Sequence, residues 1–129
     1  MVVTDAGVWV RAIVGEPPAG AVRGRLVAAG SVAAPALVDL EFTNVLRGLV
    51  LKGTTSPSDA ELALTDFLRA PIQRHLHEAL IPRIWQLRAN LTAYDAAYVA
   101  LAEGLGTDLF TVDSRLAGSP GIRCHVEVL

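Results

Sequence analysis

Cysteine is nearly absent. Cys124 stands alone in a chain of 129 residues, which excludes an internal disulfide and fits a reducing cytoplasm. Aromatic side chains make up 5% of the sequence, so alanine, valine and leucine must fill the core. Positive charge is also scarce. A net charge of −2 excludes a strongly basic, non-specific nucleic-acid binder. It does not exclude a nuclease, because an acidic metal site lowers the net charge while local arginines still grip phosphate. Lysine is represented by Lys52 alone, every other basic side chain being arginine. Arginine forks suit phosphate recognition, although coding bias produces the same skew. The longest apolar stretch, residues 26–38, is broken by Gly30, Ser31 and Pro35, so no membrane span is expected. The first ten residues lack a basic region and carry Asp5 within their apolar stretch, so no signal peptide is expected either.

What is present is apolar patterning. At 52% hydrophobic residues, the chain suits a single domain, 1–129, around one core. Short apolar strands are expected at residues 2–4, 32–34, 71–76, 109–112 and 122–128. Helices are expected at 7–14, closed by Gly15 and Pro17-Pro18, at 21–29, ended by Gly30, and from Pro35 to residue 52, stopped by Gly53. Ser56 with Pro57 and Asp59 forms a helix start for a helix reaching residue 69. Further helices are expected at 81–90, with Pro82 in the first turn, at 92–103, capped by Thr92 and stopped by Gly104 and Gly106, and as a turn at 114–117. Alternating helices and buried strands predict an α/β fold with a parallel sheet covered on both faces.

In such a sheet, sites form beyond the carboxyl ends of the strands. Asp5 follows the first strand and Asp113 follows the fourth. Glu41 and Asp95 fall near the starts of helices that open toward the same edge. Four gathered carboxylates repel one another, and a divalent cation removes that conflict. An all-oxygen set selects Mg²⁺, with Mn²⁺ as substitute, which suits phosphodiester hydrolysis. Each acid also has a plainer role. Asp5 and Asp113 can cap the helices that follow, and Thr92 to Asp95 matches a capping box. Asn44 lies three residues after Glu41 and shares its helix face, and Thr111 stands two residues before Asp113 on the same strand. Arg11, Arg47 and Arg115 lie close to these motifs and are candidates for phosphate contacts, although exposed helix charge accounts for any one of them.

Other polar features read as structural. His75 and His77 share a strand face but lack the partners of a zinc site. Cys124 and His125 are expected in the last strand. Gly104-Leu105-Gly106 follows a helix, the reverse of a dinucleotide loop. Trp9, Trp85, Tyr94 and Tyr98 are expected to pack in the core or at a dimer interface.

Four stretches in order, Val2-Val3-Thr4-Asp5, Leu40-Glu41-Phe42-Thr43-Asn44-Val45-Leu46, Tyr94-Asp95-Ala96-Ala97-Tyr98-Val99-Ala100-Leu101-Ala102 and Thr111-Val112-Asp113-Ser114-Arg115-Leu116, resemble PIN-domain proteins. More narrowly, they resemble the VapC toxins of bacterial toxin–antitoxin pairs. The resemblance implies a three-layer α/β/α sandwich with five parallel strands in the order 3-2-1-4-5. It implies a Mg²⁺- or Mn²⁺-dependent endoribonuclease in which Asp5, Asp95 and Asp113 hold the metal and Glu41 ligates it directly or through water. Asn44 and Thr111 become supporting groups. The implied partners are an RNA substrate, a VapB-like antitoxin and a second copy of the chain in a homodimer. Some members carry a further acid near the position of Leu116; its absence here favours one tightly held ion, with another recruited by the RNA phosphate. Two alternatives stand beside this reading. An Asp-centred phosphotransferase of the haloacid-dehalogenase type would want an acid where Gly7 stands, and a receiver domain would want a late-strand lysine, whereas Lys52 ends a helix. A catalytically weak protein-binding module would be marked by loss of one of the four acids, and none is missing.

Overall fold

The computed structural model describes residues 1–15 and 18–129; Pro17, expected to help close the first helix, lies outside them. The elements follow in the order β1 (Val2–Thr4), α1 (Ala6–Val14), α2 (Ala19–Ala29), β2 (Val32–Pro35), α3 (Val38–Leu51), α4 (Pro57–Arg69) and β3 (Ile72–His75). After a 3₁₀ turn at Glu78–Leu80 come α5 (Ile81–Gln86), α6 (Ala93–Leu105), β4 (Asp108–Thr111), α7 (Ser114–Ala117) and β5 (Val126–Val128). The strands form one sheet in the order β3-β2-β1-β4-β5, and every neighbouring pair is parallel.

The central strands explain their own burial. Every residue of β1 and β2 is buried, as continuous apolar runs must be when helices cover both faces. The edge strand β3 buries Ile72 and exposes Gln73 and Arg74. On one face α1, α3 and α4 pack together. Phe42 stacks on Phe67 with centroids 4.0 Å apart, and Trp9 meets Phe67 edge-on at 6.1 Å. On the other face lies α6, flanked by α5. Its residues Ala96, Ala97, Tyr98, Val99, Ala100, Leu101 and Ala102 are all buried. The three-layer arrangement and strand order expected from the family resemblance are therefore present. No helix among the described residues is long and apolar enough to cross a membrane.

Several boundaries differ from the sequence reading. Pro35 ends β2 instead of opening a helix, and α3 starts at Val38. The pairing of β1 with β2 stops at Ala33, so a proline at position 35 removes no hydrogen bond between those strands. Residues 87–90 form turns beyond α5. His77 falls after β3, so it does not share a strand face with His75. Helix α6 passes through Gly104 and ends at Gly106, whose φ of 64° is the left-handed conformation glycine tolerates. Strand β5 is much shorter than expected. Arg83 donates to the Gly121 carbonyl at 2.7 Å, and the Arg123 backbone N–H donates to Glu103 at 2.8 Å. The second bond occupies a backbone N–H that the longer strand would offer, and just before that strand Gly121 has a φ of 86°. Cys124 and His125 consequently lie before the strand.

The stacked ring at Phe42 is fully buried. Phe42→Ala is expected to lower the unfolding free energy by about 3–5 kcal/mol, read as a lower urea midpoint with an unchanged slope.

Candidate active site

The site grows from the end of β1. Asp5 leaves the strand in extended conformation and caps α1, its Oδ1 accepting the Val8 N–H at 3.0 Å. Its backbone N–H donates to the Phe110 carbonyl of β4. Its other carboxylate oxygen, Oδ2, accepts the hydroxyl of Thr111, the fully buried last residue of β4. Capping and site roles are therefore compatible, because the carboxylate has two oxygens and each has its own donor. The Thr111 hydroxyl also accepts the Asp113 N–H at 3.0 Å. Asp113 in turn caps α7 and receives a two-pronged contact from Arg115, at 3.1 and 2.9 Å.

From the opposite layers come Glu41 and Asp95. Glu41 lies in the first turn of α3, and its Oε1 accepts the Tyr98 hydroxyl at 3.1 Å. Asp95 lies in the first turn of α6 and gives its backbone N–H to Thr92 Oγ1 at 3.2 Å. Among the described residues no bond returns from its carboxylate to Thr92. Half of the capping box forms, and the carboxylate remains available. Glu41 and Asp95 line an open groove of about 590 Å³ with Leu40, Asn44, Thr92 and Tyr94.

The electrostatics join the four acids. Burial pushes the Asp5 carboxyl up; hydrogen bonds from Thr111 and Val8 pull it down, and the charges of Asp95 and Asp113 raise it further. Burial also raises Glu41, the Tyr98 bond opposing and the charges of Asp95 and Asp5 adding. Asp113 moves the other way because Arg115 holds it below the usual carboxylate range. The Tyr98 phenol is pushed far up, first by burial and then by the charge of Glu41.

Of the three arginines singled out, Arg115 is the one that, among the described residues, bonds to one of the four acids. Arg11 donates to the main-chain oxygen of Leu129 at 2.7 Å, and Arg47 borders an apolar groove between α3 and α4. Trp9 and Tyr98 are buried in the core, whereas Tyr94 and Trp85 are exposed on the single chain and do not belong to the core. The sequence reading placed Tyr98 in the packing and missed its bond to Glu41. The available signal was its position three residues after Asp95, on the same helix face.

Among the described residues no three acidic, histidine or cysteine side chains are drawn closely enough to enclose an ion as they stand. The donor chemistry nevertheless fits a hard divalent cation. The set is all oxygen, and burial with like charge burdens Asp5 and Glu41, a conflict that bound Mg²⁺ or Mn²⁺ would relieve. The phosphotransferase alternative fares worse, since a Cβ on Gly7 would collide with the Val112 side chain, leaving no room for a second acid there.

Residues 2–119 match the family model described as PIN domain, and the chain belongs to that family. Within the family it groups with the VapC ribonucleases. It is 38% identical over 129 residues to VapC ribonuclease Mb0985 of Mycobacterium bovis, covering 100% of this chain and 98% of that one. Ribonuclease VapC9 of Mycobacterium tuberculosis matches equally well over the same shares. Among solved structures, the fold resembles VapC20 of Mycobacterium tuberculosis, described as a Sarcin-Ricin loop cleaving toxin. The TM-score is 0.69 at 16% identity, over 95% of this chain and 97% of that one. It also resembles VapBC2 from Rickettsia felis bound to a DNA fragment from their promoter, with TM-score 0.69, 14% identity and coverage of 99% and 98%.

The raised Asp5 carboxyl has a consequence for stability. Its folded value lies above the ordinary 3.8, so a cost to the fold appears as pH rises through the folded value and vanishes below the ordinary one. In metal-free buffer, Asp5→Asn should therefore melt higher than wild type near pH 7, asparagine keeping the cap. The gap should close as the pH approaches 4. A lower melting temperature for the variant at neutral pH would contradict this balance.

Proposed function

We propose that this chain is the toxin of a bacterial toxin–antitoxin pair, a Mg²⁺- or Mn²⁺-dependent endoribonuclease that hydrolyses RNA phosphodiester bonds. The observation that carries the reading is that the charges of Asp95 and Asp113 bear on Asp5, and those of Asp95 and Asp5 on Glu41, at one edge of the sheet, in a chain of the VapC type. Asp5, Asp95 and Asp113 would hold the ion, and Glu41 would ligate it directly or through water. When bound, a divalent cation supplies charge neutralisation at a phosphoryl oxygen and acidifies water.

The side chains divide the remaining work. Glu41, whose carboxyl is raised by burial, is suited to orient the attacking water and take its proton. Thr111 fixes Asp5, and Asn44 supports the face beside Glu41. Arg115 is 89% exposed at its side chain and is the arginine best placed to meet an RNA phosphate; Arg11 and Arg47 are weaker candidates. Water adds to phosphorus in line, the bond to the 3′ oxygen breaks, and that oxygen is protonated. The products carry 5′-phosphate and 3′-hydroxyl ends. The whole chain acts as one domain in the bacterial cytoplasm, as a homodimer restrained by a VapB-like antitoxin.

Purified protein incubated with cellular RNA provides the test. Cleavage should stop with chelator and return with Mg²⁺ or Mn²⁺. Asp95→Ala should cut at least about 100-fold more slowly, as loss of a group acting in the transition state does. Chelator-resistant cleavage, or 2′,3′-cyclic phosphate ends, would overturn the scheme.

A further inference from the structure

The four carboxylates are not oriented in the same way. Asp5 is fixed by Thr111 and by the Val8 N–H, and Asp113 by Arg115. Among the described residues Glu41 has neither a backbone donor nor a basic side chain bonded to it. Among the described residues its hydrogen-bond donor is the Tyr98 hydroxyl, at 3.1 Å from Oε1. A glutamate has three side-chain torsions, and without a donor a half-exposed one spreads over many rotamers.

Tyr98 itself is 2% exposed, so its ring cannot follow Glu41 outward. It lies three residues after Asp95, on the same face of α6. Its hydroxyl makes a side-chain bond across the end of the sheet from α6 to α3. A buried phenol needs an acceptor, but a nearby backbone carbonyl would serve that need. The acceptor here is a carboxylate that lines the groove with Asp95.

We propose that Tyr98 is a positioning residue. Its hydroxyl holds one oxygen of Glu41, ties the helix bearing Glu41 to the helix bearing Asp95, and leaves the other Glu41 oxygen to meet the cation or its water. This rests on the metal-site reading above. Groups that orient metal ligands in this way are commonly worth 10–100-fold in metal affinity or activity.

Tyr98→Phe keeps the ring and removes only the hydroxyl. Manganese chloride titrated into RNA-free protein by calorimetry should bind about tenfold more weakly to this variant. Its kcat for RNA should fall by a similar factor, with KM little changed. In a Glu41→Ala background, adding Tyr98→Phe should cost nothing further, because the group through which Tyr98 acts is gone. Wild-type manganese affinity in Tyr98→Phe would overturn the inference. So would a further tenfold loss in the double variant, which would mark a role in folding alone. If wild type neither binds manganese nor cuts RNA, the metal-site reading falls and takes this inference with it. If wild type does both and Tyr98→Phe matches it, only the inference falls.

Discussion

The hydrogen bond from the Thr111 hydroxyl to Asp5 joins the carboxyl ends of two neighbouring parallel strands, and the site's geometry hangs on it. Thr111 is fully buried at the end of β4. The same oxygen that gives its proton to Asp5 accepts the N–H of Asp113. One small side chain therefore sets two acids from different elements relative to each other. β1 and β4 are paired through Thr4 and Phe110, so the positions of Asp5 and Thr111 follow from strand register. Gly7 completes the arrangement, since only a residue without a Cβ lets the first turn of α1 lie against Val112.

Like charges held together by burial and hydrogen bonds are a strained solution without a counter-ion. The protein manages the strain unevenly. Asp113 is relieved by Arg115, while Asp5 and Glu41 are left raised. The unrelieved pair lies nearest the buried layers, where the low dielectric strengthens both the repulsion and the gain from a divalent ion. Under the proposed function, stability and activity are set against each other at this edge, a common feature of active sites. Arg115 is exposed and only two residues from Asp113, so in the proposed reaction it would trade that carboxylate for a phosphate by a side-chain movement alone.

Much of this was legible in the sequence because parallel sheets announce themselves. Uninterrupted apolar runs such as Val2-Val3-Thr4 have to be buried on both faces, and acids directly after them have to emerge at the carboxyl edge. Asp5 and Asp113 are candidates from position alone, Glu41 gains from Asn44 on the same helix face, and Asp95 leans on the family resemblance. The boundaries that were misread were decided by tertiary contacts. The Arg83–Glu103 clip captures residues 121 and 123 and shortens β5, and no local pattern encodes a bond from a helix twenty or more residues away. The bond from Tyr98 to Glu41 spans 57 residues, so single-sequence spacing could suggest only that Tyr98 faces the same way as Asp95. The capping box at Thr92 forms by half: the backbone bond is made, and among the described residues no bond returns from the Asp95 carboxylate to Thr92.

The central claim is that Asp5, Glu41, Asp95 and Asp113 hold one tightly bound divalent ion. Anomalous scattering from crystals of the RNA-free protein grown with manganese chloride tests it most directly. The account predicts a single strong manganese peak ligated by these carboxylates. Two strong peaks there, or no ordered peak among them, would contradict it.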